Sequence, residues 1–173
     1  MGYIEDFCLK MYQPAINMES TTKVPHLFTM AQAALESGWG RYAIGNNFFG
    51  HTCQKTYTGM KQLVKTTENL KVDLPIGAIN DPNFVEILEK KPLANGSYLY
   101  TLTRWFKDYP SLQACLEDHF KILSQPNYKN AFLFTNDLKK FAEEIQEGGY
   151  ATAPNYATQI VQVAQLIQKS MPK

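Results

Sequence analysis

The sequence is poor in cysteine and has no long apolar run. Its three cysteines, Cys8, Cys53 and Cys115, are widely spaced and form no C-x-x-C pair. An odd number of scattered cysteines argues against a disulfide framework, and the spacing argues against a structural zinc site. A membrane-spanning helix needs about 20 consecutive apolar residues, and no stretch of the chain approaches that length. The sequence therefore predicts no membrane span.

A charge excess of either sign is also missing. The chain has 17 Lys and Arg against 16 Asp and Glu, which leaves a net charge of +1. Without a basic surface, duplex nucleic acid is a poor candidate for the main partner. Hydrophobic residues are 45% and charged residues 19% of the 173 residues, as in ordinary globular domains. We therefore predict one domain over residues 1–173 that folds without a metal or disulfide.

The N-terminus does not resemble a signal peptide. Its first ten residues, MGYIEDFCLK, include two acids and no long apolar stretch. Three interpretations follow: removal of a leader, export by another route, or an intracellular protein.

Helical periodicity dominates both ends of the chain. Residues 1–44 and 110–173 carry apolar residues at helical spacing. Pro14 is predicted to open a second short helix and Pro25 a third, which ends near Gly38.

The middle of the chain, residues 45–109, loses this periodicity. It is rich in Gly, Asn, Thr, Lys and Pro, with β-type runs at 61–67 and 98–106 and a predicted helical turn at 83–89. The layout predicts an α+β fold, a mainly helical lobe with a small β lobe or flap inserted. Ligands commonly bind at lobe boundaries, so we expect a cleft.

Familiar catalytic motifs are absent from the sequence. It contains no nucleophile elbow, P-loop, zinc-protease or dinucleotide-binding motif. The histidines, His26, His51 and His119, are scattered, and nothing near His51-x-Cys53 completes a ligand set. We expect neither a metal nor a cofactor.

Glu36 is the strongest candidate for chemistry. It follows an apolar helical stripe and precedes Ser37-Gly38-Trp39-Gly40. Apolar neighbours such as Leu35 and Trp39 could desolvate the carboxyl group, raise its pKa and make it a general acid. On spacing alone, a solvated glutamate beside a glycine cap is the better interpretation.

Three motifs resemble a known family. AQAALESGWGR at 31–41, GNNFFG at 45–50 and GGYATAPNYATQI at 148–160 resemble the glucosaminidase family of peptidoglycan hydrolases, glycoside hydrolase family seventy-three. That family includes the flagellar rod-cap hydrolase and many bacterial autolysins. The resemblance extends over roughly 3–168 and is weakest over 51–100.

The resemblance implies a lysozyme-like α+β fold and a cofactor-free hydrolase of peptidoglycan glycan strands. The bond cut would be the β-1,4 linkage between N-acetylglucosamine and N-acetylmuramic acid. Glu36 takes the general-acid position by motif match. The implied place of action is the cell wall, periplasmic or secreted.

The resemblance also implies six substrate-binding residues: Trp39, Asn46, Asn47, Phe49, Tyr150 and Tyr156. Five of them have a structural alternative. Trp39 and Phe49 could be packing residues, the two asparagines are good turn formers, and Tyr150 could be a surface residue. His119 lies on an apolar helix face, where a hydrogen-bonded core histidine is a better interpretation than a catalytic base.

The sequence departs from the family in two places. Ala153 stands where the family commonly has Asp in its C-terminal motif. The Asn-Phe-Phe-Gly turn runs into His51-Thr52-Cys53, where the family has an aliphatic residue and a lysine.

Glu68 is the candidate for a second catalytic carboxylate. It closes the run 64–68, which resembles a Thr-rich strand of the family's β lobe that ends in an acid. A strand holds a side chain rigidly enough to position a base or a water. A solvated hairpin charge is an equal alternative, and Asp73, another flap acid or the substrate's acetamido group could take the role instead.

Two other functions compete with the leading hypothesis. A muramidase or lytic transglycosylase would cut the same polymer on the same fold. Ala153 and the altered turn at 51–53 leave a non-catalytic glycan-binding domain open as an alternative, and the presence of Glu36 opposes it.

Overall fold

A computed structural model describes residues 2–171 and divides the chain into two compact units. The helical unit is formed by the chain before Gly50 and after Tyr109, and the sheet unit is Gly50–Tyr109. These units correspond to helical elements at both ends of the chain and strands between them. The α+β prediction is confirmed, while a single domain over 1–173 stays a prediction.

Two long helices open the helical unit. Helix α1 is Tyr3–Thr22 and helix α2 is His26–Ser37. The backbone of Lys23 is left-handed, with φ of 68°, and its N–H donates to the Glu19 carbonyl at 2.9 Å, which ends α1. Pro25 then immediately precedes α2.

Pro14 corrects one sequence prediction, because it lies inside α1 and opens no second helix. An interior proline costs a helix about 3 kcal/mol. The buried face of α1 nevertheless continues through Met11, Ala15 and Met18. Burial of that face on both sides of the proline outweighs the local cost.

The second half of the helical unit begins at Pro110. Its elements are helix α3 (Leu112–Leu123), a 3₁₀ segment (Pro126–Phe134), helix α4 (Leu138–Glu147) and helix α5 (Tyr156–Ser170). Helix α2 contacts both α1 and α5. Phe28 of α2 and Phe141 of α4 meet edge to face, with ring centroids 4.8 Å apart. Helix α2 is therefore central to the core of this unit.

The sheet unit is a four-stranded antiparallel sheet. Strands β1 (Lys61–Leu70), β2 (Gly77–Ala78), β3 (Glu86–Pro92) and β4 (Tyr98–Lys107) lie in the order β1-β4-β3-β2. Phe84, Ile87, Tyr100 and Leu102 form a buried cluster on one face.

The helical turn predicted at 83–89 is wrong, because β3 occupies most of that segment. Ile87 pairs with Leu102 and is fully buried. That pairing joins two separate segments of the chain. The pattern of apolar residues within one short segment cannot show which other segment it will pair with.

Within residues 2–171, no helix combines the length and the apolar character needed to cross a bilayer.

Candidate active site

Glu36 is the last residue but one of α2. The helix ends there because Gly38 and Trp39 both have left-handed backbones, with φ of 56° and 62°. Trp39 N–H donates to the Ala34 carbonyl at 2.8 Å. The Ser37 hydroxyl accepts from Gly40 N–H at 2.8 Å, which holds the turn that follows Glu36. The glutamate is thus carried on a rigid, glycine-capped helix end.

Burial of its carboxyl group raises the pKa of Glu36. The residue as a whole is exposed, so the two observations differ. Solvent reaches the side chain as a whole, while the protein around the carboxyl group disfavours its charged form. A raised pKa keeps the proton on Glu36 to higher pH than in water, which suits a general acid.

The sequence predicts that Leu35 and Trp39 desolvate this carboxyl group. Leu35 is itself 40% exposed. The Trp39 ring packs edge to face on Phe7 of α1, with centroids 5.5 Å apart. The aromatic residues that the Glu36 charge affects are instead Tyr150 and Tyr156.

Three tyrosines form a cluster in the helical unit. Tyr150 lies between Tyr156, at 5.7 Å, and Tyr128, at 6.3 Å between ring centroids. Burial is the main cause of the raised pKa of Tyr150 and of Tyr156, and the negative charge of Glu36 adds to both shifts. Tyr150 and Tyr156 therefore stay neutral and can donate hydrogen bonds. We call Tyr128, Tyr150 and Tyr156 the tyrosine cluster.

Gly148 explains how Tyr128 reaches this cluster. A Cβ at Gly148 would lie 2.5 Å from a Tyr128 ring carbon and 2.7 Å from the Asn127 carbonyl oxygen. The Asn127 side-chain amide also donates to the Gly148 carbonyl at 2.7 Å. The loop between α4 and α5 is thus packed directly against the 3₁₀ segment. Sequence reasoning left Tyr128 out of the site.

A buried polar network lies beside the tyrosines. The Gln32 side chain donates from Nε2 to the Tyr156 hydroxyl at 2.6 Å, and its Oε1 lies 3.0 Å from His119 Nε2. His119 stacks on Phe49 with centroids 3.7 Å apart and planes 2° apart. Its ring also meets Tyr150 edge to face at 6.0 Å. Gln32 was missed, although it precedes Glu36 by four residues and so shares its helix face.

The turn before Phe48 is held by its backbone. Ile44 and Asn47 exchange two backbone hydrogen bonds, of 2.9 and 3.3 Å, across Gly45 and Asn46. Asn47 is 1% exposed and Phe49 is 8% exposed. Sugar-binding roles for Asn46, Asn47 and Phe49 stay predictions.

Trp39 lines a cavity of about 230 Å³ in the helical unit. The lining residues are aromatic or charged: Tyr3, Asp6, Phe7, Lys10, Trp39, Arg41 and Phe48, together with Gly40. Its role in binding sugar also stays a prediction.

Glu68 lies on β1 of the sheet unit, opposite Tyr100 in the register. Its carboxylate accepts from Arg104 Nη1 at 2.9 Å. The Arg104 guanidinium in turn lies 5.1 Å from the Phe84 ring and 5.8 Å from the Phe106 ring. Glu68 is therefore a partly buried, paired carboxylate, not a solvated hairpin charge. A catalytic role for it stays a prediction.

No three His, Cys, Asp or Glu side chains of residues 2–171 are grouped so that they could hold a metal ion.

Comparison with known proteins agrees with the three motifs. The profile of the Glucosaminidase family, described as mannosyl-glycoprotein endo-beta-N-acetylglucosaminidase, matches residues 12–169. That range contains the motifs at 31–41, 45–50 and 148–160 and confirms the resemblance.

Curated relatives carry the name peptidoglycan hydrolase FlgJ. The protein of Salmonella typhimurium is 26% identical over 99% of this chain and 49% of its own length. That of Vibrio parahaemolyticus is 27% identical over 80% of this chain and 39% of its own length. The chain thus spans at most about half the length of these relatives.

Solved structures confirm the predicted fold. A C-terminally truncated glycoside hydrolase domain of Salmonella typhimurium FlgJ superposes with a TM-score of 0.68 and 27% identity, covering 96% of this chain and 98% of that domain. The catalytic domain of the autolysin Auto from Listeria monocytogenes shares the fold, with a TM-score of 0.66 and 22% identity, over 98% of this chain and 87% of that one.

Proposed function

Because this chain belongs to the Glucosaminidase family, we propose that it is a peptidoglycan hydrolase. The bond cleaved is the β-1,4 linkage from N-acetylglucosamine to N-acetylmuramic acid, so the activity is that of an endo-β-N-acetylglucosaminidase. The names of the FlgJ relatives support this substrate. Peptidoglycan lies outside the cytoplasmic membrane, so the chain acts there.

The observation that carries the proposal is the environment of Glu36. Its carboxyl group sits at a capped helix end, its pKa is raised by burial, and its charge affects Tyr150 and Tyr156. A glycosidase needs a protonated carboxyl group beside the leaving oxygen. In the reaction, Glu36 gives its proton to the glycosidic oxygen as the bond to the anomeric carbon breaks. Water then supplies the hydroxyl group that completes hydrolysis.

Besides Asp73 and the other acids of the sheet unit, the partner of Glu36 in this mechanism has two candidates. Glu68 is one, and its carboxyl group is paired with Arg104. The substrate's own acetamido oxygen is the other, since N-acetylglucosamine carries one and can stabilise the anomeric carbon without a second protein carboxylate.

The test is muropeptide analysis of purified cell walls digested by the wild type and by Glu36→Gln. We expect new reducing-end N-acetylglucosamine from the wild type and about 10²–10⁴-fold slower release from the variant. Glu147→Gln is the matched control, because Glu147 is also an exposed glutamate at a helix end before a glycine.

Other products would overturn the proposal. Reducing N-acetylmuramic acid would identify a muramidase, and an anhydro product would identify a lytic transglycosylase. Binding to walls without release of any fragment would identify a glycan-binding domain. A Glu36→Gln variant within about tenfold of the wild type would remove Glu36 from the general-acid position.

A further inference from the structure

Three buried polar side chains from three helices form one hydrogen-bonded chain in the helical unit. His119 comes from α3, Gln32 from α2 and Tyr156 from α5, and they are 2%, 1% and 7% exposed. The distances are 3.0 Å from His119 Nε2 to Gln32 Oε1 and 2.6 Å from Gln32 Nε2 to the Tyr156 hydroxyl. Buried polar groups are costly unless paired, so such a network has one preferred arrangement.

The chemistry of the Gln32 amide fixes which group donates and which accepts in each hydrogen bond of this network. An amide oxygen only accepts hydrogen bonds and an amide nitrogen only donates them. Gln32 Oε1 therefore requires His119 to carry its proton on Nε2. Gln32 Nε2 donates to the oxygen of Tyr156. The Tyr156 hydroxyl accepts from Gln32 and keeps its own proton for a different acceptor.

The Tyr156 hydroxyl meets α2 at Gln32, on the helix face that also carries Glu36. Gln32 and Glu36 are four residues apart on α2, so they occupy the same face, about 6 Å apart along the helix axis. The hydroxyl of Tyr156 reaches this face at Gln32. The influence of the Glu36 charge on Tyr156 agrees with that placement.

We propose that Gln32 is a positioning residue that makes the Tyr156 hydroxyl a hydrogen-bond donor toward an acceptor oxygen of the glycan bound at Glu36. His119 holds the Gln32 amide in the orientation that this requires. The inference rests on the proposed glycosidase function, and it assigns a role to two residues of the buried network beyond that function.

Gln32→Glu reverses the hydrogen bond with almost no change of shape. Both oxygens of the new carboxylate accept, so it keeps the bond from His119 but takes the proton of Tyr156. Tyr156→Phe removes the same donor by deleting the hydroxyl. We expect each variant to lower kcat/KM by about 10²-fold, as for loss of one donor to a transition state.

Gln32→Met is the control for a merely structural role. It deletes both hydrogen bonds but leaves the Tyr156 hydroxyl with its own proton. We expect Gln32→Met to be less stable to heat than Gln32→Glu, yet more active. If the less heat-stable of these two variants is also the less active one, Gln32 serves only packing and the proposal is overturned.

The double variant Gln32→Glu with Tyr156→Phe tests whether the two residues act as one. We expect it to be no slower than Tyr156→Phe alone, because the donor is already gone. Losses that multiply would contradict the inference, and so would normal activity in Tyr156→Phe or in Gln32→Glu.

One measurement is independent of catalysis. A nitrogen-15 spectrum of histidine-labelled protein reports which ring nitrogen of His119 carries the proton. A protonated Nε2 supports the proposed direction of the hydrogen bonds, and an unprotonated Nε2 overturns it. If the wild type releases no reducing N-acetylglucosamine while Nε2 is protonated, the proposed function fails and the hydrogen-bond direction stands.

Discussion

Gly148 offers a perturbation whose size can be worked out from the structure. Its φ is not in the left-handed region, so alanine is compatible with the backbone, and steric contact decides the effect. The new Cβ would lie 2.5 Å from the Tyr128 ring, where carbon contacts are ordinarily 3.4–4 Å. The ring or the loop must therefore shift by roughly 1 Å. The Asn127 carbonyl oxygen, at 2.7 Å, blocks escape in a second direction.

Overpacking of this size costs about 1–3 kcal/mol of unfolding free energy. For a chain of this length, each kcal/mol lowers Tm by about 2–4 °C. We therefore expect Gly148→Ala to melt about 2–12 °C lower than the wild type. A displacement of about 1 Å in the tyrosine cluster should also slow wall digestion by about 10²-fold. Differential scanning calorimetry and release of reducing ends measure the two effects.

Gly149→Ala is the neighbouring control. Gly149 has φ of 89°, and apart from its chain neighbours no heavy atom of the described residues lies within 4 Å of the Cβ position. Alanine there costs about 1–2 kcal/mol of backbone strain without pushing any ring. We expect lowered stability with near-normal activity. Equal losses of activity in both variants would refute the steric reasoning, and so would an unchanged Tm in Gly148→Ala.

Three further predictions concern the proposed site. Because burial raises the pKa of Glu36, folding favours its protonated form, and the stability that this group contributes is lost as pH rises through the folded pKa. The kcat/KM of the wild type should fall over the same pH range, and above it the Glu36→Gln variant should have a Tm equal to or higher than that of the wild type. A kcat/KM that does not change from acid to neutral pH would contradict the assignment. Tyr150→Phe should keep the fold and lower kcat/KM in the wall-digestion assay, since burial keeps this hydroxyl neutral and able to donate; unchanged rate and affinity would make Tyr150 a packing residue. If Glu68 is the second carboxylate, Glu68→Gln should lower the rate about 10²-fold or more. Arg104→Met is its companion variant because it removes the paired charge. Normal digestion by both variants would leave Asp73, another acid of the sheet unit or the acetamido group in that role.

The sequence predicted elements well where the signal was local. The glycine-capped end of α2 and the start of that helix after Pro25 follow from backbone preferences of a few adjacent residues. Two predictions failed where distant contacts decided the outcome. Helix α1 runs through Pro14 because its buried face continues on both sides, and β3 forms because Ile87 pairs with Leu102.

Candidate site residues follow the same division. The three motifs together were enough to propose Glu36 as the general acid and to identify the family. Tyr128 and Gln32 were missed because their significance depends on partners far away in the chain. The hydrogen bond from Gln32 to Tyr156 joins residues 124 positions apart. The ion pair of Glu68 with Arg104 likewise depends on the register of β1 against β4.

The sequence by itself determined the helical ends and β-rich middle of this chain, the turn after Glu36 and the family. These depend on steric preferences, capping and short motifs, which act within a few residues. Only the tertiary structure decided which polar groups meet Gln32, which rings gather around Tyr150 and which cation pairs with Glu68. Those contacts depend on which faces of α2, α3, α5 and the sheet become buried together, because each buried polar group must find its partner among the groups that packing brings near it.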